Sequence, residues 1–256
     1  MIAQPSAARS FVWSFYEYAA MVMGLLVLLL FCLIWLPFAL VLPLLLPSEA
    51  GRRIGRWMIA LGFRLYLAFL QWTCSSRFDL AELDALRDQG PLILVANHPS
   101  LIDAVLVVSR LPNAVCVMKA ELMNNLLLGS AARLAGYIRN DGPVEMVVHA
   151  TEALQQGAHL LLFPEGSRTK HFPLDACSSS TGLISRRSHV PVQTLLIDFS
   201  VPYLGKAWPI WRKPRLPLSF SVRLGKRFDP PEDVAVFTRE LEAYLREACV
   251  HCGHLS

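Results

Sequence analysis

Between Ala19 and Pro47 the chain reads AAMVMGLLVLLLFCLIWLPFALVLPLLLP, without one charged residue. About 20 consecutive apolar residues suffice for a helix to cross the hydrocarbon of a bilayer. The stretch outruns the apolar core of a secretory leader and lacks both a basic lead-in and a small-residue cleavage site, so it reads as a retained membrane segment. Pro37, Pro43 and Pro47 interrupt it. Each lacks an amide donor, and backbone in lipid must satisfy itself internally, so a tilted or kinked span and a re-entrant anchor both fit.

The flanking charges are unequal. Arg9 alone precedes the segment, whereas Arg52, Arg53, Arg56 and Arg64 follow it closely, which by the positive-inside rule puts the C-terminal bulk on the cytoplasmic face of the membrane. Gly51 to Trp72 mixes these arginines with Trp57, Tyr66, Trp72 and apolar residues, as expected of an interfacial helix on the bilayer; a buried core helix is the alternative. Residues 1–75 are therefore expected to form a membrane anchor with an interfacial helix, and residues 76–256 a catalytic domain. The whole chain, at 54% hydrophobic and 17% charged with a net charge of +4, has no dense basic run. Nucleic acid is not an expected partner, and a lipid bilayer is.

Beyond Ser75 short apolar runs alternate with longer amphipathic ones. Strands are predicted at 91–96, 114–118, 136–139, 159–163, 190–199 and 219–224, with helices at 101–110, 125–134, 143–156, 178–188 and 231–250. That order is the signature of an α/β fold with a mostly parallel, helix-covered sheet, preceded here by the hydrophobic membrane-anchoring helical region. No internal repeat divides it. Six scattered cysteines in a domain facing a reducing compartment imply no disulfide framework. Cys249, His251, Cys252 and His254 cluster near the C-terminus, but a structural zinc site generally draws on a second pair elsewhere, so no metal is expected.

Two polar clusters stand where predicted strands run out. The first, Asn97-His98-Pro99-Ser100-Leu101-Ile102-Asp103, follows the strand LILVA. Ser100 and Asp103 have the spacing of a capping box, which would carry Asp103 back towards the loop of His98. A structural cap beside an incidental histidine is the plain alternative. The second cluster, Phe163-Pro164-Glu165-Gly166-Ser167-Arg168-Thr169, breaks the strand HLLL. Gly166 permits a tight turn, and the planar fork of Arg168 suits phosphate or carboxylate. In open α/β sheets ligands bind at the carboxyl ends of strands.

The two clusters resemble the N-H-x4-D and F-P-E-G-[ST]-R blocks of the membrane-bound glycerolipid acyltransferases, the family that includes lysophosphatidic acid acyltransferase. Gly136-Tyr137-Ile138-Arg139 is similar to that family's second block, and Val190-Pro191-Val192 to the start of its fourth; the resemblance covers Pro91 to Phe199. Gln193-Thr194 stands where the fourth block usually has a second proline, and Asn140-Asp141 follows Arg139.

The resemblance implies an enzyme without a cofactor that moves a fatty acyl group from acyl-CoA or acyl-carrier protein to the hydroxyl of a lysophosphatidic acid-type lipid acceptor. His98 would act as general base and Asp103 would orient it. Ser100 would be a cap and not a nucleophile, in keeping with the lack of a G-x-S-x-G elbow. Backbone amides at the Gly166 turn or the helix start would meet the developing oxyanion. Arg168, Arg139 and Lys119 would hold an acceptor phosphate, and Ser167 lies in the same binding turn. Glu165 would bind glycerol hydroxyls or align Arg139. The same chemistry on another lipid acceptor, or a non-catalytic membrane adaptor, are the rival functions. His149, His159, His171 and His189 lack a partner pattern and read as surface or packing residues. Ala207 to Arg215 interleaves Trp208 and Trp211 with Arg212, Lys213 and Arg215, a composition suited to contact with the bilayer or a donor carrier protein.

Overall fold

The structure, a computed structural model, describes residues 11–209 and 211–252. Arg9, Ile210 and His254 lie outside the described residues, as does the side chain of His251.

Two long helices come first. Helix α1 spans Phe11–Leu45 and runs through Pro37 and Pro43; Pro47 stands just before α2, Ser48–Thr73. The two-residue connection folds α2 back along α1, and Gly24 makes room for the closeness: a Cβ there would stand 3.1 Å from Leu70. Near its start α1 is fastened by Tyr16, whose hydroxyl donates to Thr73 O at 2.8 Å.

The remaining elements follow in chain order: β1 (Ser76–Asp79), β2 (Ile93–Ala96), α3 (Asp103–Arg110), β3 (Ala114–Lys119), α4 (Ala120–Asn124), α5 (Leu126–Leu134), β4 (Ile138–Asn140), α6 (Pro143–Gln155), β5 (His159–Leu162), α7 (Ser180–Ser188), β6 (Val192–Phe199), β7 (Leu218–Phe228) and α8 (Val234–Ala248). The strands form one sheet in the order β1-β7-β6-β2-β5-β3-β4. All neighbours run parallel except β6 and β7. The central strands β2, β5 and β6 are buried along their whole length, as strands covered on both faces must be. One core lies between the sheet and helices α1 to α3, the other between the sheet and α6 to α8.

Each strand and helix expected from the sequence is present, with ends shifted by a few residues. Asn125 caps α5 by accepting from the amides of Leu127 and Leu128, at 2.9 and 3.1 Å. Pro143 opens α6, where its missing N–H is no loss. Edge strand β1 and the short α4 have no counterpart among the predicted elements.

Of the two readings of the helix from Gly51 to Trp72, the packed one has direct support: as part of α2 it packs on α3, α5 and α1, with Gly55, Ala60 and Leu67 buried. Two of its arginines turn inward. Arg56 donates to Ala135 O at 2.9 Å and to Asn113 Oδ1 at 3.3 Å, and Arg64 to Ser109 O at 2.6 Å, because helix ends and loops of the domain present unfilled carbonyls there. Ile54, Trp57, Leu65 and Trp72 face outward. The capping-box expectation holds in one half, with Asp103 Oδ2 accepting from Ser100 N at 2.7 Å, and not in the half that the Ser100 hydroxyl would make. That hydroxyl donates to Tyr203 O and accepts from Ile102 N at 3.2 Å, while the helix begins at Asp103.

Candidate active site

The parallel register of β2 and β5 pairs Val95 with Leu162, so the segments that follow, from Asn97 and from Phe163, emerge side by side. Asn97 holds the end of β2 against β6: its amide donates to Ile197 O at 3.0 Å and its oxygen accepts from Ile197 N at 2.8 Å. From that clamp the chain turns through His98.

The His98 ring is fixed on two sides. Its Nδ1 lies 2.8 Å from Asp103 Oδ2, and its face stacks on Phe163 with ring centroids 3.9 Å apart. Asp103, on the first turn of α3, is fully buried and also accepts from Ser100 N at 2.7 Å. Oδ1 of Asp103 is buried with no hydrogen-bond partner. Burial pushes the Asp103 carboxyl above its ordinary pKa, against the opposing pull of the His98 ring and the Ser100 amide. The ring of His98 is 15% exposed, and with Nδ1 engaged, Nε2 is the nitrogen left to meet a ligand.

Glu165 binds the neighbouring segments together. Its Oε1 accepts from His98 N at 3.1 Å and from Thr169 Oγ1 at 2.9 Å, and its Oε2 from Asp175 N at 2.9 Å. Thr169 N in turn donates to His98 O at 2.8 Å. Burial raises the Glu165 pKa, with the Asp175 amide foremost among the opposing groups. Glutamine would offer one oxygen and one amide to a place lined by donors. Glu165→Gln is therefore expected to lower stability by about 1–3 kcal/mol, the cost of leaving a buried donor unpaired, read as a fall in melting temperature.

The turn itself depends on Gly166, whose φ of +65° is a conformation side chains disfavour. The Gly166 amide donates to Phe163 O at 3.0 Å, and the amides of Ser100, Leu101 and Ile102 are likewise engaged. The expected oxyanion donors are to that extent committed elsewhere. Among the described residues the Ser167 and Arg168 amides have no protein acceptor. Ser167 Oγ is turned to Arg168 O at 3.3 Å.

Arg168 spends Nη1 on the carbonyls of Leu204 and Gly205, at 2.7 and 3.2 Å. Lys119 ends β3 on the same side of the sheet. Arg139 lies on edge strand β4, engaged by Asp141 and by Asn124 Oδ1 at 2.7 Å, so it is not aligned by Glu165. Lys206 is a cation that the sequence did not single out. The like charges of Lys119, then of Lys170 and Arg168, hold its amine below its ordinary pKa, which marks a shared positive field. It lies in a loop without a motif, and only the fold brings it near.

Among the described residues no group of three or more His, Cys, Asp or Glu side chains is arranged for a metal ion. His159 and Cys249 are packed in the interior, and His171 is at the surface bonded to Asp175.

Residues 77–198 match the protein-family model described as Acyltransferase. Among curated proteins, the 1-acyl-sn-glycerol-3-phosphate acyltransferase of Helicobacter pylori is 32% identical over 107 residues, 38% of this chain and 45% of that protein. The protein of the same name from Limnanthes douglasii is 30% identical over 112 residues, covering 41% of this chain and 40% of its own length. A lysophosphatidylcholine acyltransferase of Drosophila melanogaster is 25% identical over 178 residues, 63% of this chain and 30% of that protein. The chain thus spans less than half the length of these relatives. The crystal structure of the 1-acyl-sn-glycerophosphate (LPA) acyltransferase of Thermotoga maritima has the same fold, with a TM-score of 0.72 at 17% identity over 93% of this chain and 97% of that one.

Proposed function

We propose that this chain, which carries an acyltransferase-family domain over residues 77–198, transfers a fatty acyl group from a thioester donor to the hydroxyl of a lysophosphatidic acid-type glycerolipid. The observation that carries the reading is His98 Nδ1 at 2.8 Å from a buried Asp103, beside the Arg168 turn. Asp103 keeps the proton on Nδ1, so His98 Nε2 is a base. It takes the proton of the acceptor hydroxyl as that oxygen attacks the thioester carbonyl. The carbonyl oxygen gathers negative charge opposite the free Ser167 and Arg168 amides. The carbon–sulfur bond then breaks, and the leaving thiolate of CoA or carrier protein takes the proton from His98. Asp103, charged and buried, stabilises the imidazolium between the two transfers. The acceptor phosphate is assigned to Arg168 and Lys119 at the strand ends with Lys206 of the 200–217 connection; Arg139, already paired with Asp141 and Asn124, contributes less.

Purified protein supplied with labelled acyl-CoA or acyl-carrier protein should acylate lysophosphatidate in an acceptor panel. No product from any acceptor with either donor would sink the proposal. The Drosophila relative favours a second acceptor class, lysophospholipids with a capped phosphate. A monoester phosphate draws more from the cations, so Lys119→Ala should raise KM for lysophosphatidate more than for a capped acceptor.

The same reading extends to the membrane. Both ends of α1 are held: near its start Tyr16 bonds to Thr73 O at the end of α2 and Glu17 to Lys213 and Leu216 of the domain, and near its end the chain returns into α2, which packs on α3 and α5. A helix so tethered does not deliver its ends to opposite faces of a bilayer. We take the α1–α2 pair as an anchor embedded in one leaflet through residues such as Leu30, Leu33, Phe38 and Leu44, with the catalytic face on the cytoplasmic side. Apolar insertion is not screened by salt. Liposome co-sedimentation is therefore expected to persist at about 1 M salt, where the Debye length is near 3 Å; release by salt alone would point to electrostatic adsorption.

A further inference from the structure

The connection between β6 and β7, residues 200–217, touches the candidate active site at one end and the anchor helix at the other. At the site end, Tyr203 O accepts from the Ser100 hydroxyl, and Leu204 O accepts from Leu101 N at 3.3 Å and from Arg168 Nη1 at 2.7 Å. Leu204 adopts a φ of +58°, unusual for a branched side chain, and its carbonyl meets both loops at once. Gly205 is pressed against the loop of His98: a Cβ there would lie 3.1 Å from Pro99 O.

At the anchor end, Lys213 Nζ pairs with Glu17 Oε2 and donates to Ser14 Oγ at 2.7 Å, while Leu216 N donates to Glu17 Oε1 at 3.2 Å. Glu17 is 1% exposed, although it is the one charged residue of the helix. A carboxylate is costly to bury without a partner, so the pairing offsets the burial of Glu17 and ties the start of α1 to the connection.

Between the two ends the connection is braced. Tyr203 packs edge-on against Trp208 with centroids 5.7 Å apart. Trp208 Nε1 donates to Arg212 O at 2.7 Å, and the Arg212 guanidinium lies 4.7 Å above the indole. Backbone bonds from Gly205 N to Pro202 O and from Trp208 N to Gly205 O tighten it further. Trp208, Arg212 and Lys213 thus spend their contacts on the protein, whereas Trp211 is exposed.

We infer that Lys213 and Glu17 are positioning residues for the catalytic loop: by seating α1 on the 200–217 connection, they hold Tyr203 and Leu204 where these fix Ser100, Leu101 and Arg168. The inference rests on the reading of His98 and Asp103 as the catalytic pair. It makes turnover, and not membrane attachment alone, depend on the anchor helix.

Four full-length variants in lipid nanodiscs test it: Lys213→Met, Lys213→Arg, Glu17→Gln and the double variant Glu17→Gln/Lys213→Met. Lys213→Met should lower kcat by roughly ten- to a hundredfold with KM changed less than about twofold, because displacing catalytic groups by part of an ångström acts on the reaction and not on binding. Lys213→Arg should restore most of the rate. The double variant removes the carboxylate together with its lysine, so its melting temperature should recover towards wild type while kcat stays low.

A second readout does not need turnover. The Nδ1 proton and nitrogen signals of His98, assigned with His98→Ala in 15N-histidine spectra, should shift in the double variant. If kcat and the His98 signals are unchanged in the double variant, or if kcat recovers together with the melting temperature, the inference is overturned. Should wild type acylate nothing, the proposed function fails, and the His98 signals still decide whether the loop is coupled to α1.

Discussion

Replacing His98 by alanine is expected to lower kcat/KM for acyl transfer by about 10³-fold, within the range of a lost general base. That corresponds to about 4 kcal/mol of transition-state stabilisation. The expectation follows from the placement of the ring. Its Nδ1 is held 2.8 Å from Asp103 and its face is stacked on Phe163, so orientation is fixed before substrate arrives. Alanine deletes the base while leaving the backbone bonds of residue 98 to Glu165 and Thr169 available. The variant should stay folded and bound to membranes. A full rate in such a folded variant, measured with labelled donor, would remove His98 from the chemistry and favour an adaptor or a different base.

Asp103→Asn should cost about as much, 10²- to 10⁴-fold in kcat, without a cost in stability. Asparagine keeps an oxygen for the Ser100 amide but takes away the charge that, in the proposed mechanism, stabilises the imidazolium of His98. Burial raises the pKa of Asp103 in the folded protein, so folding opposes its ionisation. The contribution of such a group is fully present below the unfolded pKa of about 3.9 and is lost as pH rises through the higher folded value. Around neutral pH the aspartate is therefore a burden on the fold that asparagine relieves. Thermal unfolding should give the variant a melting temperature equal to or above wild type at pH 7, with the advantage shrinking towards pH 4. A marked loss of stability at neutral pH would mean that the hydrogen bonds of the carboxylate outweigh its burial.

These two side chains were visible in the sequence because strand ends announce themselves. LILVA is a run of buried residues broken by Asn97 and Pro99, and HLLL is broken by Pro164 and Gly166, so both clusters could be set at the same edge of a parallel sheet. What could not be read was which groups the polar residues would find. Glu165 takes donors from residues 98, 169 and 175, and nothing in a Pro-Glu-Gly turn encodes partners from two other segments. Arg56 and Arg64 have the look of headgroup anchors, yet they reach carbonyls whose exposure depends on where α3 and α5 end. Strand β1, Ser-Arg-Phe-Asp, is short and polar because it sits at the sheet's edge, where only one side is paired. Lys206 lacked a sequence signal for the same reason that Tyr203 and Leu204 did: a long connection takes its meaning from where its ends are pinned.

The reversed direction of β7 has an evolutionary corollary. Parallel neighbours oblige the chain to cross back through a helix, but the antiparallel pairing of β6 with β7 lets residues 200–217 leave and re-enter along one rim. Lengthening or exchanging this connection would leave the strand register intact while reshaping the entrance beside His98 and Arg168. Variation that such a scaffold tolerates is thereby confined to the stretch between two pinned ends, Tyr203 and Leu204 at the candidate site and Lys213 at α1, with the sheet left as it was.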